Sequence, residues 1–257
     1  TVQTVINGQT YTLTLNSSTG KYEATITAPS KSSYNQSGHY YPVKVTATDE
    51  SGNSTSKDAS DSTLGSSLRL TVKEKVAPVI AIVSPTAGSF FTNSKPTITW
   101  KVTDADSGVN PATIGITLDN GTKVTGDAIT KTAITGGYQC TYTPATALSD
   151  GSHTIKLDAS DYDGNAAATN STTFKVDTVP PTLTLSSPAD KLITNKSDCT
   201  VKGTTNDVTS SPVKVTIKLN SGTAEPVTVG RDGSFTKDLT LANGTNTITV
   251  VATDSAG

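Results

Sequence analysis

The sequence predicts an all-β chain built as a string of repeated sandwich modules, and three observations carry that expectation. Apolar residues recur with period 2, in Val-x-Val-x and Ile-x-Leu-x alternations, and almost never with the period of a helix face. Of the 257 residues, 33% are hydrophobic and 16% charged, with Thr, Ser, Gly and Asn filling much of the remainder. That composition is far from helix-forming and also lacks the high net charge of a disordered chain. Finally, three segments end alike and superpose without a gap: VKVTATDESGN at Val43–Asn53, IKLDASDYDGN at Ile155–Asn165 and ITVVATDSAG at Ile248–Gly257.

In each matched segment the inward positions fall two apart: Val43, Val45 and Ala47; Ile155, Leu157 and Ala159; Ile248, Val250 and Ala252. Two residues after each set stands Asp49, Asp161 or Asp254. This is one strand face packing into a core with polar residues on the other. A second match confirms the period, because APVIAIVSP from Ala77 pairs with PPTLTLSSP from Pro180, and both lead on to a Thr-Asn, at Thr92-Asn93 and Thr194-Asn195. Proline at the opening of each module fits an edge strand, where a missing N–H costs no ladder bond. A repeat of roughly 100 residues is too long for a solenoid coil and fits a whole sandwich domain.

The middle module reads as strands near residues 79–84, 96–102, 112–118, 128–134, 138–143, 152–160 and 172–177. Turn signals separate them at Asp119-Asn120-Gly121, Gly136-Gly137, Asp150-Gly151 and Asp163-Gly164-Asn165, where Gly and Asn tolerate positive φ. Trp100, flanked by Ile98 and Val102, is expected to anchor the core, with a sugar-stacking platform as the competing role. The adjacent aromatics Tyr40-Tyr41 and Phe90-Phe91 are expected to pack near module ends. The divisions are residues 1–74, a module that begins at its third strand near Val2 to Asn7; residues 75–178, a complete module; and residues 179–257, a module that stops before its last strand. A sandwich short of a strand exposes an edge, so either the sequence is trimmed or a neighbouring chain supplies the strand.

The A-[ST]-D-x-x-G-N ending and the D-x-x-x-P linker of Asp177 to Pro181 resemble tandem bacterial immunoglobulin-like repeats, and the resemblance covers essentially the whole chain. It implies tandem immunoglobulin-like β-sandwiches in an extended string, at the cell surface, outside the cell or on a virion. It also implies a non-catalytic spacer or adhesive stalk segment of a larger bacterial surface protein. The alternatives are a phage tail-fibre or virion decoration module binding host glycans, and an accessory region of a secreted enzyme. Partners on this reading are neighbouring modules and a host surface glycan or protein. The ligand-binding residues are not legible, because the aromatics are scattered.

A net charge of -2, with 20 Lys and Arg spread along the chain, offers no basic stripe for nucleic acid. No apolar run reaches the roughly 20 residues of a membrane-spanning helix. Catalytic groups are scarce: the two histidines, His39 and His153, lie in different modules, each read as a surface or turn residue, and neither has a zinc partner or a nucleophile beside it. Cys140 and Cys199 fall in different modules on inward strand positions and are read as buried free thiols. Four Asn-x-Ser/Thr strings, beginning at Asn16, Asn53, Asn170 and Asn243, matter only in a host that glycosylates them.

Carboxylates gather where modules meet. In an immunoglobulin-type sandwich the loop after the second strand and the loop before the last share the end at which the chain arrives. The first junction then collects Glu74, Asp104, Asp106, Asp161 and Asp163, and the second Asp177, Asp207 and Asp254. Clustered hard oxygens on irregular loops suit Ca2+ better than transition metals. The arrangement is similar, by position in the repeat, to calcium-bridged junctions of some large adhesins and of cadherins. The competing reading is that each Asp caps its own turn through backbone N–H groups with no ion involved.

Overall fold

A computed structural model describes all 257 residues, and it contains strands, turns and only single-turn 3-10 helices. The first module holds β1 (Val2–Ile6), β2 (Gln9–Asn16), β3 (Lys21–Glu23), β4 (Tyr41–Thr48), β5 (Ser54–Lys57) and β6 (Arg69–Leu70). They form one sheet in the order β3-β2-β1-β4-β5, with β6 also paired to β4. The Asn7-Gly8 turn between β1 and β2 has positive φ at both residues, the geometry that lets a two-residue hairpin follow the strand twist.

The second module supplies β7 (Val79–Ser84), β8 (Phe90–Phe91), β9 (Ile98–Thr103), β10 (Val109–Leu118), β11 (Thr130–Ile134), β12 (Gly137–Tyr142), β13 (Gly151–Asp161) and β14 (Asn170–Val176). Two four-stranded sheets result, β10-β13-β14-β8 and β11-β12-β9-β7. Between them lies one core of fourteen buried residues, with Trp100, Ile98, Ile116, Leu157 and Phe174 all fully buried. Trp100 therefore serves the core and not a sugar platform. All pairings are antiparallel except one: β8 runs parallel to β14, with Phe90 opposite Lys175 and Phe91 opposite Val176. The strand read near 128–134 starts later, at Thr130, because Gly126–Ala128 forms a 3-10 turn.

The third module contains β15 (Thr182–Ser187), β16 (Asp198–Asn206), β17 (Lys214–Leu219), β18 (Glu225–Val227), β19 (Ser234–Thr240) and β20 (Ile248–Thr253). Its sheets are β15-β16-β19 and β18-β17-β20, around a smaller core of Val201, Val215, Ile217 and Phe235. The opening strand of the chain pairs as the third strand of this module does: Val2 faces Ala47 across β1 and β4, and Val215 faces Ala252 across β17 and β20.

Two expectations need correction. Ala47 is exposed, although its equivalent Ala159 is buried, because the first module has a single sheet and no facing sheet to cover that position. His153 is not a surface residue: it sits on β13 with 6% exposure, beside Phe174. Nδ1 lies 2.6 Å from Asp119 Oδ2 and Nε2 lies 2.8 Å from the Ser149 carbonyl. Both partners are acceptors, so only the doubly protonated ring satisfies both. Burial pushes the His153 pKa down, but the Asp119 hydrogen bond, the Ser149 carbonyl and the Asp119 charge together outweigh it and raise the pKa above the ordinary value. The two cysteines are free and buried, and burial pushes the Cys140 thiol up to about 11.

Candidate functional site at the module junctions

Each junction is built from a linker acid and two loops of the module that follows it. At the first, Glu74 lies on the strand-free segment between β6 and β7, Asp104 follows β9, and Asp161 closes β13. Carboxylate oxygens of these three lie within 4.8 Å of one another, with Asp104 and Asp161 buried. Most of their oxygens are already engaged. Asp104 Oδ1 accepts from the amides of Asp106 and Gly108, at 3.0 and 2.8 Å. Asp161 accepts from the Asn165 amide and side chain, at 2.8 and 2.7 Å. Glu74 Oε1 accepts from Ser107 N at 2.6 Å. Asp104 Oδ2 is buried and has no partner.

Asp106 and Asp163 do not join this group. Asp106 accepts from Ser32 N of the first module through both oxygens, at 3.2 and 3.1 Å, and its carbonyl takes the Asn35 side-chain amide. Asp163 Oδ2 accepts from Glu74 N at 3.0 Å. These acids are clamps on backbone N–H groups, which the chain spacing alone did not reveal. Above them the Tyr34 ring is sandwiched between His39 and Tyr162, with centroids 4.3 and 4.2 Å away. The first junction is thus a lattice of side-chain to backbone bonds capped by stacked rings.

At the second junction Asp177 follows β14, Asp207 follows β16 and Asp254 follows β20. All three are buried, with exposures of 2%, 9% and 9%, and their carboxylate oxygens again lie within 4.8 Å of one another. One oxygen of each is consumed by its own turn. Asp177 Oδ1 accepts from Val179 N, Asp207 Oδ1 from Thr209 N and Ser210 N, and Asp254 Oδ1 from Ala256 N and Gly257 N. Turn capping, the competing reading from the sequence, is therefore present at both junctions, yet it leaves Asp177 Oδ2 buried and unpartnered. The four ion pairs of the chain involve none of the six clustered acids. Carboxylate oxygens within 4.8 Å of one another repel when charged. The arrangement thus offers oxygen-only donors and negative charge without a protein counter-ion.

Sequence reasoning missed two serines. Ser107 and Ser210 are buried, and the hydroxyl of each has no hydrogen-bond partner. The signal was in the chain: Asp104 to Ser107 and Asp207 to Ser210 share an Asp-x-x-Ser spacing in the loop after the second strand.

The paired sheets and their strand order define an immunoglobulin-like β-sandwich. Residues 78–157 match the bacterial Ig domain family model, and residues 181–257 match that of glucodextranase domain B. The chain belongs to the tandem bacterial immunoglobulin-like domains. It is 35% identical over 181 residues to Bacillopeptidase F of Bacillus subtilis (strain 168), an alignment covering 70% of this chain and 11% of that protein. The chain therefore spans about a tenth of the curated relative it matches. Among solved structures it is similar to the fibronectin(III)-like modules of Clostridium thermocellum CbhA, at 19% identity and TM-score 0.40, covering 69% of this chain and 87% of that one. It is also similar to a tetra-tandem repeat in the extending region of a large adhesion protein, at 21% identity and TM-score 0.38, covering 100% and 63%.

Proposed function

We propose that this chain is a non-catalytic spacer in an exported bacterial protein, its modules setting the distance between the parts they connect. The observation that carries this reading is surface. The chain exposes 15496 Å2 at a mass of 26.4 kDa. A compact protein of that mass exposes about 10,600 Å2, and three separate modules of equal size about 14,300 Å2. Surface on this scale is that of modules in series, the second and third each with its own core and the first a single uncovered sheet, and it favours reach over enclosure.

The resemblance to Bacillopeptidase F supports a more specific placement, as an accessory region accompanying a secreted peptidase. No helix is long and apolar enough to cross a membrane. Chemistry on the chain itself gains little support, since both ring nitrogens of His153 are committed to Asp119 and Ser149.

The test is a distance measurement. Dyes placed on β2 and β11 should report a narrow distribution by single-molecule energy transfer, because the first junction is bonded and stacked. Replacing Asp106 and Tyr162 together by Ala should broaden it without shifting the unfolding of the second module. A distribution already broad in the native chain would overturn the spacer reading, and so would turnover of a peptide or glycoside panel by the purified chain.

A further inference from the structure

We infer that His153 is a pH-operated latch on the linker between the second and third modules: the charged ring holds the Ser149–Asp150 turn against that linker, and loss of its proton lets the turn go. The consequence for stiffness rests on the spacer reading; the latch itself does not.

The latch is a chain of contacts. His153 Nδ1 lies 2.6 Å from Asp119 Oδ2, and Nε2 lies 2.8 Å from the Ser149 carbonyl. The next residue, Asp150, accepts through Oδ1 from Thr178 N at 2.9 Å and from the Thr178 hydroxyl at 3.0 Å. Thr178 stands just past β14, two residues before Pro180-Pro181. Proline fixes φ, so the direction set at Thr178 carries into the third module. Between the bodies of the two modules runs one hydrogen bond, from the Lys175 ammonium to the Thr209 carbonyl at 3.2 Å. So slight a tie leaves the hold on Thr178 to set the angle.

The turn can move without unfolding its module. On one side Leu148 N is bonded to the Ser94 carbonyl at 2.8 Å. On the other Gly151, at φ +133° with open space where a Cβ would stand, supplies the joint. Asp119 cannot follow, because its amide donates to the Thr154 carbonyl at 2.9 Å and its Oδ1 accepts from Thr154 N at 2.7 Å.

Loss of one proton therefore has a directed result. The carboxylate is the stronger acceptor, so the neutral ring keeps its proton on Nδ1. Nε2 then turns a lone pair toward the Ser149 carbonyl, two acceptors 2.8 Å apart. Leaving both without a donor is costly in a buried site, and the turn, jointed at Gly151, is the part that yields. Asp150 leaves with it and releases Thr178. Burial works against the charged ring, but the Asp119 bond, the Ser149 carbonyl and the Asp119 charge outweigh it and raise the pKa. The latch is closed below about pH 6.5 and opens as pH rises through the folded value.

No other charge competes for the ring. Asp119, on the turn after β10, is the one that touches it. β14 sets the Phe174 ring against it, and Lys175, one position on, points to the opposite face. Lys156, farther along β13, donates to Asn120. Asp150 is engaged by Thr178, and Lys95 donates to the Ala145 carbonyl in the same connection. The other histidine, His39, belongs to the first module.

The experiment is an NMR titration of the isotope-labelled full chain from about pH 5.5 to about pH 8.5. The His153 ring signals should titrate with a midpoint above 6.5, and the Thr178 amide signal should move along the same curve. His153→Gln, with no titrating ring, should leave the Thr178 amide still. Asp150→Ala, at an exposed position, should keep the ring titration while Thr178 ceases to follow it. A Thr178 signal indifferent to the His153 midpoint in the native chain, or one that follows it equally in Asp150→Ala, would overturn the latch. Dyes on β11 and β19 read the consequence: the distance distribution across the second junction should widen as pH rises, while that between β2 and β11 stays the same. Coupling of Thr178 without that widening would overturn the effect on stiffness and leave the latch in place. Failure of the spacer reading would show instead as broad distributions at every pH, with Thr178 still following His153.

Discussion

Replacing Phe174 by Ala removes the largest side chain that β14 sends into the second module. The ring is fully buried, meets Phe91 edge-on at 5.7 Å and 88°, and lies 5.7 Å from the His153 ring. Phe→Ala in a close-packed core costs about 3–5 kcal/mol, through lost transfer energy and the cavity left behind. The edge-on pair adds about 0.5–1.5 kcal/mol beyond area. We therefore expect a loss of about 4–5 kcal/mol, a large share of the roughly 5–15 kcal/mol typical of a domain this size. Taking a urea slope of about 2 kcal/mol per molar, the midpoint should fall by about 2 M. Trp100, the only tryptophan, is fully buried in the same core, so its fluorescence reports this module without interference from the other two. A midpoint lowered by less than about 0.5 M would refute the claim that the two sheets share one close-packed core. A matching fall in the third module's transition would refute the claim that the cores are separate.

Three further outcomes are expected. The folded state raises the His153 pKa above the ordinary 6.5, so the stabilisation is fully present below about pH 6.5 and is lost as pH rises through the folded value. The Trp100 midpoint should accordingly fall from about pH 5.5 to about pH 8.5, more weakly in Asp119→Asn, and a midpoint that rises with pH would sink this account. Gly244 and Gly233 both have positive φ, but an added Cβ meets open space at Gly244 and the Thr205 carbonyl at Gly233. Gly244→Ala should cost about 1 kcal/mol and Gly233→Ala clearly more, as read by amide exchange across β16 and β19; equal costs would contradict the close approach. Cys140, pushed up to about 11 and buried, and Cys199, also buried, should resist a thiol reagent in the native chain and react together in denaturant. Fast labelling of either in native buffer would show that its strand is open.

The repeat was legible because its signals are local. An Asp two residues beyond an alternating strand, followed by Gly, fixes a turn by backbone geometry alone, and that is how Asp49, Asp161 and Asp254 behave. The clustering of Glu74 with Asp104 and Asp161, and of Asp177 with Asp207 and Asp254, follows from topology plus those turns. What escaped was non-local. His153 reads as a turn residue until the Asp119 turn, 34 residues earlier in the chain, is folded against it. Asp106 and Asp163 read as ligands, but Ser32 and Glu74 present amides that only the assembled junction brings into range. Ala47 reads as core, and only the missing second sheet leaves it in water.

The parallel contact between β8 and β14 ties the last strand of the second module back to its opening. Its bonds, Gly88 N to the Thr173 carbonyl, Lys175 N to the Ser89 carbonyl and Asp177 N to the Phe91 carbonyl, fasten the segment after β7 to the strand that leaves the module. Ahead of that segment, β7 is laddered to β9 in the other sheet. A pull on the two linkers therefore grips the module through both of its sheets, so the load crosses the core instead of running along one hairpin.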